Sequence, residues 1–296
     1  SGRCDKDCAY RDHCRYQRHM TRAQSGSIDF QVCNHNYFLA DLLHRSKGQQ
    51  PLIPHYQAVI IDEGHKFLDA ARQMYGVRRD RGAIPAVTED VLTFTYRKGE
   101  SGEDITALAR KLARQNTRLF NVLDRNIPES DYDDEAERFQ TVIDGKAARH
   151  LLNITEQAGI LAADLLDCKP LARYRGRREQ ARWELKNITE TVGALQNHNE
   201  LVYWLEKPPA HRGGEAGQTA LCAIPKKLND MLAADLWSRG VPIILTSGTL
   251  SASGDFTHIK RTLGLDRLPP HRLMETSKPS PFNHRENALL YISESV

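Results

Sequence analysis

Two short apolar runs, each followed at once by polar residues, constrain the fold of this chain more than any other feature. The first, 58–61 (AVII), leads directly into Asp62 and Glu63, and the second, 243–245 (IIL), leads into Thr246. Uninterrupted runs of Val, Ile and Leu are typical of parallel strands that are buried on both faces. We therefore expect an α/β fold in which both runs are buried strands of a parallel sheet.

The adjacent carboxylates after the first run suit phosphoryl-transfer chemistry. In an open parallel sheet, ligands bind beyond the carboxyl ends of the strands. Asp62 would contact Mg²⁺, usually through a water, and Glu63 would polarise the attacking water. Gly64 would let the chain turn sharply into the next helix. The alternative is an ordinary helix N-terminus, where acidic side chains favour the positive end of the dipole.

The second run ends in hydroxyl groups, since Thr246, Ser247 and Thr249 flank Gly248. The alternative here is a common strand-to-helix turn in which hydroxyl side chains cap the helix. Either motif alone is weak evidence. Together, two apolar strands with polar ends favour a single nucleotide site.

Three of the six cysteines, Cys4, Cys8 and Cys14, lie within eleven residues of one another. Iron–sulfur clusters usually take four cysteines, whereas zinc would accept a mixed set that includes His13 or His19. Chance clustering or redox chemistry is the third possibility. A crowded cysteine cluster in a long chain without a signal peptide indicates a metal or iron–sulfur site more often than disulfides.

The remaining segments predict helices and strands by their periodicity. We expect helices at 37–45, 103–126, 134–144, 146–166, 177–198 and 226–238, and one that begins at Gly64. We expect further strands at 28–34, 201–206, 219–224 and 288–293, with a long turn at 208–218. The chain between 76 and 200 therefore predicts a helical insert between two parts of a sheet.

Composition excludes some classes of protein. The 296 residues suffice for one large or two ordinary domains, and the net charge of +3 does not by itself indicate nucleic-acid binding. No apolar run approaches the roughly 20 residues of a membrane helix. We expect a monomeric, cytoplasmic protein without a membrane partner. The chain starts without Met and ends in an expected strand, so we also expect it to be a piece of a longer protein.

Several motifs in order resemble the iron–sulfur helicases of superfamily 2, the DinG/XPD type, in particular the bacterial DinG-like branch. They are CDKDCAYRDHC, VCNHNYFLADLL, VIIDEGHKF, YWLE, LCAIPKKLNDML, ILTSGTL and SPFNHRENALLYI. The resemblance has gaps, because the phosphate-binding GxxxxGK[ST] loop and the second motor domain are not among these residues. Gly248 replaces the family's usual alanine, and Cys33 stands where Val or Thr is common.

The resemblance implies a fold and a division of the chain. It implies a partial RecA-like parallel sheet of the P-loop NTPase type, with a large helical arch insert and a small Cys-rich iron–sulfur insert. The implied segments are 1–27 (iron–sulfur insert), 28–75 and 201–279 (motor domain 1), 76–200 (arch) and 280–296 (start of motor domain 2).

The resemblance also implies an activity. The parent protein would be an ATP-dependent DNA helicase that translocates on single-stranded DNA and unwinds forked DNA. Catalysis would involve Asp62, Glu63 and His65 with Mg²⁺, and Thr246, Ser247, Gly248 and Thr249 would couple the nucleotide to motion. A [4Fe-4S] cluster would be held by Cys4, Cys8, Cys14 and a fourth cysteine from upstream.

Basic and aromatic residues near the cysteines would contact the DNA strand by charge and stacking. These are Arg11, Arg15, Tyr16 and Arg18. A second basic run, 172–182, is either another contact or a solvated helix face. Two other functions remain open: a metal-stabilised nucleic-acid-binding module without ATPase activity, and a helical scaffold with a vestigial ATPase site.

Overall fold

The computed structural model describes residues 8, 10–26, 28–96, 102–127, 137–207, 218–252, 254–278, 282–289 and 291. The helices are α1 (Arg15–Ala23), α2 (His35–Ser46), α3 (Gly64–Tyr75), α4 (Ala83–Leu92), α5 (Gly102–Leu123), α6 (Gly145–Asp167), α7 (Arg175–Ala194), α8 (Leu228–Asp235), α9 (Thr257–Leu263) and α10 (His284–Asn287). The strands are β1 (Val59–Ile61), β2 (Val77–Asp80), β3 (Glu137–Thr141), β4 (Leu201–Lys207), β5 (Ala220–Pro225) and β6 (Ile243–Leu245). Within these residues, every helix is too short or too polar to cross a lipid bilayer.

The chain divides into two compact units. Unit 1 combines the two ends of the chain, 1–68 and 229–296, and unit 2 is the continuous segment 69–228. Unit 1 contains both polar strand ends that the sequence singles out.

Unit 1 contains a parallel strand pair. β1 and β6 pair in register, with Val59 opposite Ile243 and Ile61 opposite Leu245. The predicted α/β class with parallel strands is confirmed. The expectation that both runs are buried on both faces is wrong for the described residues, because Ile60 is 68% exposed and its neighbour Ile244 is 56% exposed.

The buried side of unit 1 is built around Phe67 of α3, whose side chain is fully buried. Its ring lies 6.4 Å from that of Phe38 on α2 and 6.4 Å from that of Trp237. The indole Nε1 of Trp237 donates to the carbonyl oxygen of Leu263 at 2.7 Å, which attaches α9. Aromatic packing thus fixes the position of α3, the helix that follows β1.

A buried carboxylate fixes the chain that leads into β1. Asp41 on α2 is fully buried and accepts the backbone N–H groups of Leu52 and Ile53 at 2.7 and 2.9 Å. Its other oxygen accepts from Arg45 Nε at 2.6 Å. Because a buried carboxylate is costly unless it is paired, these three donors explain why Asp41 can stay inside.

Unit 2 packs helices against an antiparallel sheet. In the described residues, α6 packs against α5 and α7, and α4 packs against the same two helices. The sheet has the order β2-β5-β4-β3, with antiparallel pairing throughout. Tyr203 on β4 is buried, and its hydroxyl donates to the carbonyl oxygen of Leu195 at 2.6 Å. Burial raises the pKa of Tyr203 to about 12.

The helix predicted at 134–144 is wrong. Residues 134–136 lie outside the described residues, and 137–141 form β3. Phe139 and Thr141 face inward with Gln140 exposed between them, which is the alternation of a strand. Asp144 also closes the segment, since its side chain accepts from the N–H groups of Lys146 and Ala147 and caps α6.

The strands predicted at 28–34 and 288–293 are also wrong, as far as the structure describes these residues. Residues 28–34 contain no strand, and Phe30 and Val32 are 89% and 98% exposed, so no partner strand covers them. Instead, Asn34 caps α2 by accepting the N–H of Tyr37 at 2.8 Å. In the predicted strand 288–293, residues 288, 289 and 291 are not in a strand. The other three residues lie outside the described part of the chain.

The strands predicted at 201–206 and 219–224 form as β4 and β5, but they belong to unit 2. They pair with β2 and β3 rather than with the parallel strands. Unit 2 is therefore wider than the expected insert 76–200, and the strands assigned by resemblance to the motor lie within it. The helices predicted at 103–126, 146–166 and 177–198 correspond to α5, α6 and α7. The sequence analysis did not predict α4 and β2 of the same unit.

We predict that residues 69–228 fold on their own and that 76–200 do not. The shorter segment lacks β4 and β5, the two strands that lie between β2 and β3. Urea unfolding followed by circular dichroism should give one cooperative transition for 69–228 and a broad one for 76–200. A cooperative transition of 76–200 at the same midpoint would contradict this.

Candidate active site

The two polar strand ends meet because β1 and β6 are parallel neighbours. The hydroxyl of Thr246 donates to Asp62 Oδ1 at 2.8 Å. The backbone N–H of Glu63 donates to the same oxygen at 2.9 Å. Among the described residues, the other carboxylate oxygen of Asp62 accepts no hydrogen bond. The sequence-predicted residues Asp62 and Thr246 are thus brought together, with one oxygen held in place and the second free for a ligand.

These two hydrogen bonds lower the pKa of Asp62, with the Thr246 hydroxyl as the larger cause and the Glu63 N–H as the second. Hydrogen bonds to the ionised form of a carboxyl stabilise that form. Asp62 is also exposed to solvent. The site therefore presents an ionised carboxylate at neutral pH, as a divalent cation requires.

Glu63 has a left-handed backbone conformation, with φ of +49°. Such a conformation in a residue other than glycine costs about 1 to 3 kcal/mol and is found more often at functional sites than elsewhere. The next residue, Gly64, donates its N–H to the carbonyl oxygen of Thr246 at 2.8 Å. The turn after β1 is thus tied to β6 on both sides of Glu63, through Asp62 and Gly64.

His65 links the two motifs a second time. Its Nδ1 lies 2.6 Å from Ser247 Oγ and 3.2 Å from Glu63 Oε2. Ser247 Oγ also accepts the backbone N–H of Thr249 at 3.2 Å. Glu63, His65, Ser247 and Thr249 therefore form one connected polar group at the ends of β1 and β6.

His35 is a member of the site that the sequence does not reveal. Its Nε2 donates to the backbone carbonyl oxygen of Asp62 at 2.8 Å, and its ring contacts Phe67 edge-to-face at 5.6 Å. Its charge is a minor cause of the lowered pKa of Asp62. The spacing of 27 residues carries no local signal, so only the tertiary packing of α2 could have identified His35.

The N-terminal segment carries the predicted metal and DNA residues. Cys8 is exposed and Cys14 half-buried, both are free thiols, and a 3-10 helix, Arg11–His13, lies between them. Cys4 lies outside the described residues. Among those that are described, no group of three or more His, Cys, Asp or Glu side chains is arranged to hold a metal ion.

The four predicted DNA contacts are all on the surface. Helix α1 buries none of its residues, and Arg11, Arg15 and Arg18 are exposed, as is Tyr16 at 57%. Arg18 donates to the carbonyl oxygen of His13 at 3.3 Å. Their side chains are accessible to a ligand.

The second basic run, 172–182, is largely paired within unit 2. Arg177 forms an ion pair with Asp90, and Arg178 and Arg182 pair with Glu179 at 2.5 and 2.9 Å. The guanidinium of Arg173 lies 4.8 Å from the centre of the Tyr174 ring. This outcome favours the structural alternative for the run over a DNA contact.

We predict that Thr246→Val raises the pKa of Asp62 towards the ordinary aspartate value, because the substitution removes the larger of its two hydrogen bonds. Carbon-detected NMR of the Asp62 carboxyl across a pH titration measures this directly. Thr249→Val is the matched control, since the Thr249 hydroxyl faces Ser247 rather than Asp62. Equal pKa values in both variants would show that the Thr246 hydrogen bond is unimportant.

Comparison with known proteins gives a consistent group of relatives. No family model matches the chain. The "Probable ATP-dependent helicase YpvA" of Bacillus subtilis is 23% identical over 88% of this chain and 38% of its own length. The "ATP-dependent DNA helicase YoaA" of Escherichia coli is 25% identical over 93% of this chain and 40% of its own length. The "ATP-dependent DNA helicase DinG" of Photobacterium profundum is 33% identical over 31% of this chain and 12% of its own length.

A solved structure, "Structure of S. tokodaii Xpd4", aligns with 76% of this chain and 40% of that chain at 15% identity and a TM-score of 0.39, which is too low to argue from. The chain spans about two fifths of the length of YpvA and YoaA. Over 88% and 93% of its length the chain is similar to proteins named ATP-dependent helicases, and over 31% to one named DinG.

Proposed function

We propose that the chain is part of an ATP-dependent DNA helicase motor whose nucleotide-hydrolysing residues lie at the ends of β1 and β6. One observation carries the proposal: Asp62 is hydrogen-bonded to Thr246, and His65 to Ser247, across adjacent parallel strands. Strand ends of this kind are where open parallel sheets bind ligands. The names of the relatives indicate which ligand to expect.

Asp62 is the proposed residue for Mg²⁺. Its fixed Oδ1 and free second oxygen suit a hard cation that takes oxygen ligands. When bound there, Mg²⁺ would neutralise the negative charge that develops during phosphoryl transfer. The Thr246 hydrogen bond keeps the carboxylate ionised and restricts its rotation, so that it is positioned before the ion arrives.

Glu63 is the proposed residue that polarises the attacking water. Its backbone is left-handed, immediately before the helix that begins at Gly64. Glu63 Oε2 is within 3.2 Å of His65 Nδ1, so His65 can hold the carboxylate in one orientation. His65 is therefore proposed as a positioning residue.

Residues 246–249 are proposed to couple the nucleotide to motion. Thr246 contacts Asp62, and Ser247 contacts His65, which in turn contacts Glu63. A shift of this segment would reach Asp62 through the Thr246 hydrogen bond, and Glu63 through His65. Gly248 between them has no side chain, and a Cβ placed there would meet no atom within 4 Å, so the described neighbours leave room for alanine.

The N-terminal segment is proposed to hold the iron–sulfur cluster. Cys8 and Cys14 are free thiols in a segment that builds no core of its own, and thiolates are the ligands that such clusters take. Cys4 and a further cysteine would complete the set. Arg11, Arg15, Tyr16 and Arg18 are proposed to contact single-stranded DNA, at a forked substrate, beside the cluster.

The division of the chain into segments that the family resemblance implies is also a proposal. Unit 1 would be part of motor domain 1, and unit 2 would correspond to the arch insert, extended to residue 228. The monomeric state and the cytoplasmic location stay predictions.

We predict that Glu63→Gln in the full-length protein lowers the rate of ATP hydrolysis by about 10²-fold or more and leaves ATP binding intact. The amide keeps the size of the side chain but loses the charge that polarises water, and loss of a general base has effects of this order. A coupled ATPase assay with a DNA cofactor and fluorescent-nucleotide binding measure the two quantities.

Glu190→Gln is the control, an exposed acid on α7 of unit 2. Hydrolysis by Glu63→Gln within about twofold of the unchanged protein would remove Glu63 from the mechanism and weaken the proposed function.

We also predict that Cys14→Ser removes the cluster in the full-length protein, whereas Cys33→Ser does not. Desolvation of the Cys33 thiol and the nearby Asp41 carboxylate raise its pKa, which disfavours the thiolate that a cluster needs. Iron and sulfide content after anaerobic purification, with absorption near ~400 nm from thiolate-to-iron transitions, gives the result. Stoichiometric zinc without iron would identify a zinc site instead.

A further inference from the structure

The backbone carbonyl of Asp62 is held by a side chain from a different helix. His35 is the first residue of α2, and its Nε2 lies 2.8 Å from the carbonyl oxygen of Asp62. A backbone carbonyl oxygen only accepts hydrogen bonds, so Nε2 carries the proton and His35 is the donor. The roles proposed above for Asp62 and Glu63 make no use of this bond.

The peptide group that joins Asp62 to Glu63 is restrained at both of its polar atoms. Its carbonyl oxygen accepts from His35, and its N–H donates to Asp62 Oδ1 at 2.9 Å. The same Oδ1 accepts from the Thr246 hydroxyl. Because a peptide group is planar, hydrogen bonds at its two ends fix the orientation of the whole plane. The plane is thus tied to α2 through His35 and to the end of β6 through Thr246.

The peptide group after Glu63 is restrained as well. The N–H of Gly64 donates to the carbonyl oxygen of Thr246 at 2.8 Å, and the carbonyl oxygen of Glu63 accepts the N–H of Lys66 at 2.8 Å. The orientations of the two flanking planes define the φ and ψ of a residue. Glu63 is therefore confined to its φ of +49°, which is uncommon for a residue other than glycine. Without the bond from His35, the first plane could rotate and relieve this strain.

Helix α2 is a firm support for the His35 donor. Asn34 caps the helix at the end that carries His35. Further along α2, the buried Asp41 accepts the N–H of Ile53 at 2.9 Å. Ile53 precedes β1 and Asp62 follows it, so α2 contacts the chain on both sides of this strand. The imidazole is thereby placed relative to the carbonyl that it binds.

The ring of His35 also packs against the aromatic core of unit 1. It lies edge-to-face with Phe67, with the ring centres 5.6 Å apart and an angle of 80° between the planes. A phenylalanine would satisfy this contact equally well, because aromatic packing requires no N–H group. The packing and the hydrogen bond are therefore two separate contributions of one side chain.

We propose that His35 is a positioning residue that keeps Glu63 in its left-handed conformation. Through the main chain of Asp62, it orients the turn from which the Glu63 carboxylate reaches the attacking water. Misplacement of a catalytic group by about 1 Å lowers the rate of a reaction strongly. The effect on hydrolysis rests on the proposed function, whereas the effect on the backbone of Glu63 does not.

The first test uses the 296-residue chain without nucleotide or metal. His35→Phe keeps a ring beside Phe67 but has no N–H, whereas His35→Gln has no ring but carries an amide Nε2 as many bonds from Cβ as the imidazole Nε2. Triple-resonance NMR reports the φ of Glu63 through its backbone chemical shifts and its HN–Hα coupling. The left-handed conformation should be lost in His35→Phe and kept in His35→Gln.

Two further variants make the comparison independent of any one substitution. In His35→Asn the amide is one bond too short to reach Asp62, so this variant should behave like His35→Phe and replaces it if that variant does not fold. His44→Phe is the matched control, because His44 is also a half-buried histidine of α2 but contacts the carbonyl oxygen of Gln50, at 3.1 Å. It should leave Glu63 unchanged. Circular dichroism and thermal unfolding verify that each variant is folded.

The second test measures ATP hydrolysis by the full-length protein. His35→Phe and His35→Asn should lower kcat by about tenfold or more and leave the KM for ATP unchanged, since they misplace a catalytic group without removing a substrate contact. His35→Gln should restore kcat to near that of the unchanged protein. A residue that only stabilised the fold would not give this split, nor this rescue by the donor alone.

Three results would overturn the proposal. They are a left-handed Glu63 in folded His35→Phe or His35→Asn, equal kcat values in His35→Phe and His35→Gln, and a higher kcat in His35→Phe than in His35→Gln. The last would show that packing on Phe67 is the whole contribution of His35. Failure of the proposed function is distinguishable, because hydrolysis that survives Glu63→Gln would remove Glu63 from catalysis while the NMR result still decides whether His35 fixes the turn.

Discussion

The parallel pairing of β1 with β6 is the constraint on which the candidate site depends. The N–H of Thr246 donates to the carbonyl oxygen of Ile61 at 2.9 Å, which continues the pairing past the last strand residue. This extension sets the Thr246 hydroxyl against Asp62 and the Thr246 carbonyl against Gly64. A shift of one residue in register would move each side chain of β6 to the other face and separate the two motifs. The chemistry proposed for Asp62 and Glu63 thus depends on strand register.

Much of this site could be predicted from sequence because its signals are local. An apolar run that ends in carboxylates, and another that ends in hydroxyls, indicated which residues to examine, and the structure joins Asp62 to Thr246. The contribution of His35 and the left-handed backbone of Glu63 could not be predicted. His35 contacts a residue 27 positions away, and the turn at Glu63 is held by hydrogen bonds to Thr246 on β6. The residues next to them in sequence do not indicate either feature. The roles of these residues in catalysis stay predictions.

Unit 2 shows where periodicity fails as evidence. The apolar spacing in 134–144 fits a helix, yet Phe139 and Thr141 also fit a strand, and pairing with β4 decides between them. From the sequence the basic run 172–182 could be a DNA contact or a solvated helix face, and in the structure Asp90 and Glu179 pair with three of its arginines. Charge along a sequence therefore does not show which cations are available. That property depends on which acidic side chains the fold brings near.

The order of the segments along the chain has a consequence for folding during synthesis. Asp62 and Thr246 are 184 residues apart, and all of unit 2 lies between them. A ribosome that has completed unit 2 has not yet made β6, so the helices and antiparallel sheet can form while β1 still lacks its partner. Closing a loop of this length as a flexible chain is entropically unfavourable, and a folded insert leaves fewer disordered residues to constrain. The pair of β1 with β6 is therefore expected to form only after unit 2 is complete, and the backbone groups of β1 that bond to β6 stay unpaired until then.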